Sequence, residues 1–134
     1  MCPATPTATE SRDSGSAAVD FVLVGTLVTF VFLAVIQLAV DYHVRNVLAA
    51  CAAEGARYGA NADVASADAG AAHTNELITR ALGPEYAHAT AGSDDQVDGL
   101  PVVSVTVSAR LPLVAWFLPA GPTVHATGHA VLER

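Results

Sequence analysis

The chain has no lysine. Its six basic residues are all arginines, set against thirteen acids for a formal net charge of −7. A nucleic-acid binder or a grip on anionic lipid needs a basic patch, so this balance argues against both. Cysteine is nearly as scarce, and Cys2 and Cys51 support no disulfide framework. No Cys/His cluster has metal-ligand spacing, no glycine loop is built to cradle phosphate, and no serine sits in a nucleophile elbow. His43, His73 and His88 are scattered. His125 and His129 share a strand face but lie about 13 Å apart along it. The sequence thus offers no catalytic, metal or cofactor-binding residue, and it is read as non-enzymatic.

Charge is also missing from one long stretch. Phe21 to Val40 carries none, and only Gly25, Thr26, Thr29 and Gln37 interrupt its apolar character. A helix of about 20 residues rises roughly 30 Å, the thickness of a bilayer's hydrocarbon core. The alternative, a core helix of a soluble protein, would show a polar stripe, and these few residues do not make one. The segment is therefore read as a transmembrane helix in contact with lipid. Orientation is weakly marked. Arg12 precedes the span while Arg45 and Arg57 follow it, which taken alone favours a cytoplasmic C-terminal domain. Asn46, Asn61 and Asn75 all lack the hydroxyl residue of a glycosylation sequon.

What is present is a junction. Gly15-Ser16-Ala17-Ala18-Val19-Asp20 runs directly into Phe21 and the apolar segment. An ordinary secretory signal is cut after its apolar core. A glycine, small residues, a carboxylate and an aromatic placed before the core present a prepilin-type cleavage site, with the scissile bond between Gly15 and Ser16. The apolar helix would then remain in the mature protein. Asp20 has a plain role, since an acid in a helix's first turn complements the dipole by about 0.3–1 kcal/mol. It also brings a carboxylate to the edge of lipid, where ionisable groups usually have partners. Cleavage would free the Ser16 amine one helical turn away, and in a bundle that amine could pair with Asp20 of a neighbouring subunit.

Downstream, Asp41 to Ala60 contains no proline, and Val40, Val44, Val47, Leu48, Cys51 and Tyr58 recur at helical spacing. One helix is expected from about Val19 to Ala60, preceded by a disordered Pro/Thr/Ser-rich leader. Gly55 and Gly59 form a small-residue pair for close helix packing, against either the protein's own second element or a neighbouring subunit. Asp63 is the expected cap of a second helix, Val64 to Leu82, stopped by Gly83-Pro84. Residues 102–111 and 123–132 then alternate with period two and predict strands, with a short edge strand at Tyr86 to Ala91. Pro112, Pro119 and Pro122 bracket an apolar loop, Val114 to Leu118, expected to cover the sheet. The fold class is α+β: a long N-terminal helix whose first half is transmembrane, a second helix and a small antiparallel sheet. One small domain follows the span, giving a leader at 1–15, a membrane segment at 16–40 and an α+β domain at 41–134.

Two motif matches dissolve on inspection. Leu48-Ala49-Ala50-Cys51 spells a lipoprotein box, but Asp41, His43, Arg45 and Asn46 separate it from the apolar core. Asp94-x-Gln96-x-Asp98-Gly99 resembles the start of a calcium loop, but Val105 stands where the bidentate glutamate belongs. It is read as an acidic turn leading into a strand.

Ala18-Val19-Asp20-Phe21 at the head of an apolar helix, the Arg45–Leu48 run and Glu54-Gly55-Ala56-Arg57-Tyr58 together resemble the TadE-like family, pseudopilins of tight-adherence (Flp-type) pilus systems. Asp20 stands where that family more usually has glutamate. The resemblance implies processing by a prepilin peptidase, a C-terminal domain outside the cytoplasm against the arginine count, and association with other pilins or pseudopilins and pilus assembly machinery. It implies a minor pilin or pseudopilin. The other reading of the residues is a membrane-anchored extracytoplasmic binding module, neither cleaved nor polymerised.

Overall fold

A computed structural model describes residues 10–87, 89–111 and 121–133, with side chains from Gly15 onward. Cys2, His88 and the apolar loop Val114 to Leu118 lie outside the described residues. The elements are helix α1 (Glu10–Ala60), helix α2 (Ala67–Ala81), a 3-10 turn at Pro84–Tyr86, and strands β1 (Thr90–Val97), β2 (Leu100–Arg110) and β3 (Thr123–Val131). This is the expected α+β order of a long apolar helix, a second helix and a small antiparallel sheet. The chain divides into two units, Met1–Gln37 and Leu38–Arg134.

The described part of the first unit is helix, and its apolar stretch faces outward. From Gly15 to Ile36 every residue is exposed, including Phe21 at 79% and Phe32 at 65%. Burying a Val, Leu or Phe side chain is worth about 1.5–3 kcal/mol each, so water is the wrong solvent for this surface. The helix is long and apolar enough to cross a membrane. Thr26 and Thr29 donate their hydroxyls to the carbonyls of Val22 and Gly25, at 2.7 and 2.8 Å, which removes two polar demands from the apolar stretch. The helix begins at Glu10 rather than near Val19, so part of the expected disordered leader is helical. No proline stands between Glu10 and the span, so the backbone offers nothing to stop the helix there.

In the second unit, the last third of α1 and all of α2 cover one face of a three-stranded sheet of order β1-β2-β3. β1 pairs with β2 from Thr90↔Val107 to Val97↔Leu100, and β2 with β3 from Val102↔Val131 to Arg110↔Thr123. The period-two pattern therefore places Val103, Val105, Val107, Ala109 and Val124 inward, each buried. They meet Val44, Leu48, Cys51, Ala52 and Ala56 of α1 and Ala67 and Ile78 of α2. Tyr58 departs from the expected apolar stripe. It is 40% exposed and stacks on His73, ring centroids 4.4 Å apart.

Three expectations are corrected. Asp63 does not cap α2; the chain turns at Asn61–Ala65, and Ser66 accepts the Ala69 amide on its hydroxyl at 3.3 Å. Ala65 adopts a positive φ of 40°, which ends any helical run begun at Val64. The edge strand is Thr90–Val97 rather than Tyr86–Ala91, so Asp94 and Gln96 belong to a strand, not a turn. The reason lies in Asp98-Gly99, with φ of 52° and 79°, a two-residue hairpin of the type I′ kind. Once that turn pairs Val97 with Leu100, β2 zips the acidic segment into a ladder its own composition disfavours.

Candidate functional site

Gly15, Ser16 and Asp20 all lie within α1, and all are exposed. A Cβ built on Gly15 meets nothing within 4 Å. Presenting this backbone in extended form would require the opening turns of α1 to unwind first. Glycine makes that easier, because it costs about 1 kcal/mol against alanine in a helix interior. Helix ends also fray, and Gly15 stands only about one and a half turns inside this one. Asp20 follows Ser16 by four residues, so the two share one face of the helix. Their placement would set a freed Ser16 amine and the Asp20 carboxylate one turn apart, available to a neighbour.

The second sequence hallmark occupies the other end of α1 and does structural work. Leu48 is fully buried, and Gly55 and Ala56 face the core. Glu54 and Arg57 form an exposed ion pair at 3.6 Å, which contributes a few tenths of a kcal/mol at most. Gly55 and Gly59 pack on this protein's own α2, at Gly70. A Cβ on Gly55 would fall 2.7 Å from the Gly70 carbonyl oxygen, and one on Gly59 3.2 Å from the Gly70 Cα. The Thr74 hydroxyl, buried in the same contact, donates to the Gly70 carbonyl at 2.8 Å. Cys51 is buried one turn away, and burial pushes its thiol up, which keeps it a neutral and unreactive core residue. It lies inside an unbroken helix, where no lipoprotein processing site would be reached.

The face of the sheet away from the helices carries a polar ladder that strand alternation alone did not identify. Ser104 bonds His129 Nδ1 at 2.8 Å, Thr106 bonds Thr127 at 3.2 Å, and Ser108 bonds His125 Nδ1 at 2.7 Å. Each pair is a directly opposed β2–β3 couple. The signal was available: two His-x-x-x-His positions on β3 match a Ser-x-x-x-Ser spacing on β2 once the register is known. These are two-member links, the Ser104 link partly buried and the other two exposed, and their effect is to hold β2 and β3 in register. Among the described residues, no three His, Cys, Asp or Glu side chains assemble as a metal site.

Residues 15–57 match the family model described as TadE-like protein. The resemblance read from the junction and from the Arg45–Tyr58 hallmark is therefore shown over the segment that carries both. The match opens on Gly15 and closes at Arg57, so it covers the junction, the apolar helix and the α1 packing face short of Gly59 and Ala60. No curated protein and no solved structure matches the chain.

Proposed function

We infer that this protein is a minor pilin or pseudopilin of a tight-adherence pilus system, held by one membrane span with its α+β domain outside the cytoplasm. The observation that carries the reading is the coincidence at Gly15. The TadE-like match begins at the residue where a prepilin peptidase would cut, and the apolar helix follows within six residues. A span with large apolar side chains on every side suits both lipid and the bundle of like helices into which a processed subunit would assemble. The protein's work is then assembly rather than catalysis, and its partners are the peptidase, other pilins and the assembly machinery.

The test is the mature N-terminus. Co-expressed with its cognate prepilin peptidase, the chain is expected to lose residues 1–15 and begin at Ser16, by intact mass of the membrane-extracted protein. Gly15→Phe is expected to block the cut. A membrane form that keeps Met1 in the presence of active peptidase overturns the reading in favour of an uncleaved anchored module. Asp20 sharpens the test: Asp20→Glu should keep piliation, whereas Asp20→Asn and Asp20→Ala should insert normally yet lose most pili counted by microscopy. Normal piliation with either would leave Asp20 only its helix-dipole role.

A further inference from the structure

Among the described residues beyond α1, three large apolar side chains stand more than half exposed: Val97 at 51%, Leu100 at 55% and Val131 at 54%. All three line one hollow of about 430 Å³. Its geometry follows from the hairpin. Val97 and Leu100 oppose each other across the Asp98-Gly99 turn, and the Val102↔Val131 pairing brings the end of β3 alongside. Val102, 6% exposed, and His129 complete the wall. The rest of this sheet face presents hydroxyls and imidazoles, so the apolar residues are gathered rather than scattered. Gathered apolar exposure marks an interaction surface, whereas isolated exposed residues need no explanation.

Charge selects the occupant. Asp98 lines the hollow, and Asp95, directly opposite Val102, stands on the same side of the sheet. Arg57 lines the adjoining cleft with Val131, but Glu133 shares that cleft and Glu54 is paired to the guanidinium. A second copy would bring the same carboxylates together on a chain of net charge −7. An anionic lipid surface would be repelled for the same reason. We propose that the Val97–Leu100–Val131 hollow docks a partner polypeptide that presents one or two large apolar side chains flanked by arginine or lysine. The apolar residues fill the hollow as an anchor, and the cations meet the hairpin carboxylates around it. The site lies in the α+β domain and is independent of whether Gly15 is cut.

The test uses the full chain in detergent micelles with labelled valine and leucine methyls, titrated with three synthetic peptides of equal length. One carries Phe-Leu between arginines, one Phe-Leu between glutamates, and one Ala-Ala between arginines. The first should shift the methyls of Val97, Leu100 and Val131 saturably, and the other two should not. Joint Asp95→Asn and Asp98→Asn replacement should weaken that binding roughly tenfold. Leu100→Ser should abolish it while the methyls of Val103, Val105 and Val107 stay in place. Equal binding of the glutamate or the alanine peptide overturns the proposal, as does the absence of any saturable shift. Concentration-dependent shifts of these methyls without peptide would make a second copy the occupant and overturn it too.

Discussion

Two stretches of α1 use apolar residues in opposite ways. Between Phe21 and Val40 the side chains are large and turned outward: Phe21, Leu23, Phe30, Phe32 and Leu38 are each at least 59% exposed. Between Val44 and Ala60 the buried positions are mostly small: Cys51, Ala52, Ala56 and Ala60 are at most 8% exposed, with Gly55 and Gly59 among them. A large apolar residue on every side of a helix asks for an apolar medium, because no single neighbour can cover the whole circumference. A small one asks for a backbone at contact distance, because only then does its modest area count. Side-chain size thus separates the two environments more sharply than hydropathy does.

The largest expected effect comes from forcing size across that division. At Gly55 a Cβ would collide with the Thr74 hydroxyl and fall 2.7 Å from the Gly70 carbonyl oxygen, whereas at Gly25 it would meet nothing within 4 Å. Gly55→Val should therefore cost more than about 4 kcal/mol, the exceptional class of core disruption, and remove the domain's cooperative unfolding transition. Gly25→Val should leave that transition within about 2 °C of its original midpoint, since 1 kcal/mol moves a domain of this size by about 4–8 °C. Thermal unfolding followed by near-UV dichroism in micelles measures both. Equal losses would mean that the apolar stretch supports the domain's stability after all.

Removing size gives the next effect. Leu48 is fully buried among Cys51, Ile78 and Val107, and Leu48→Ala should cost about 2–5 kcal/mol. Leu27, 64% exposed, has no such cavity to open. Leu27→Ala should leave the urea midpoint of the domain unchanged. A drop at Leu27 comparable to that at Leu48 would break the comparison.

How much of this was legible in the sequence depended on the kind of signal. The apolar run from Phe21 needed no partner to be recognised, because length and lack of charge suffice. β2 was equally plain, since Val103, Val105 and Val107 alternate without interruption. β1 was misplaced because Ser93, Asp94, Asp95 and Gln96 have little intrinsic preference for a strand; pairing with β2 imposes it. The better clue was Asp98-Gly99, whose dipeptide favours a tight hairpin and points back to the residues before it. In the candidate site, Gly15, Ser16 and Asp20 could be singled out, and Asp20 falls within the expected helix, but the helical state of Gly15 and Ser16 was hidden because leader composition suggests disorder. Spacing alone puts Tyr58 on the apolar stripe, whereas its stacking partner, His73, lies on another helix and is invisible to a local pattern. The ladder of Ser104, Ser108, His125 and His129 required the β2–β3 register, which no local pattern supplies.

The smallest effect concerns the entry to α2, where two residues compete for one role. Asp63 precedes the helical pattern and is a good capping residue by type, as is Ser66. The backbone decides between them. Ser66 has the extended conformation of a cap, with φ −147° and ψ 117°, and its hydroxyl accepts the Ala69 amide. Its carbonyl also takes the Gly70 amide at 3.1 Å, and its own amide donates to the Gly59 carbonyl, which ties the cap to α1. Asp63 lies in the preceding turn and is exposed. Ser66→Ala should therefore lower the domain's stability by about 0.5–2 kcal/mol, the usual cost of a lost cap. Asp63→Ala should stay within about 0.5 kcal/mol, as exposed substitutions do. Because Ser66 adjoins the Gly59–Gly70 contact, Ser66→Asp is the informative control. It restores an acceptor and complements the helix dipole, so it should recover most of the loss in urea unfolding. Failure of that rescue, with Ser66→Ala still damaging, would show that the position matters for packing against α1 and not for capping.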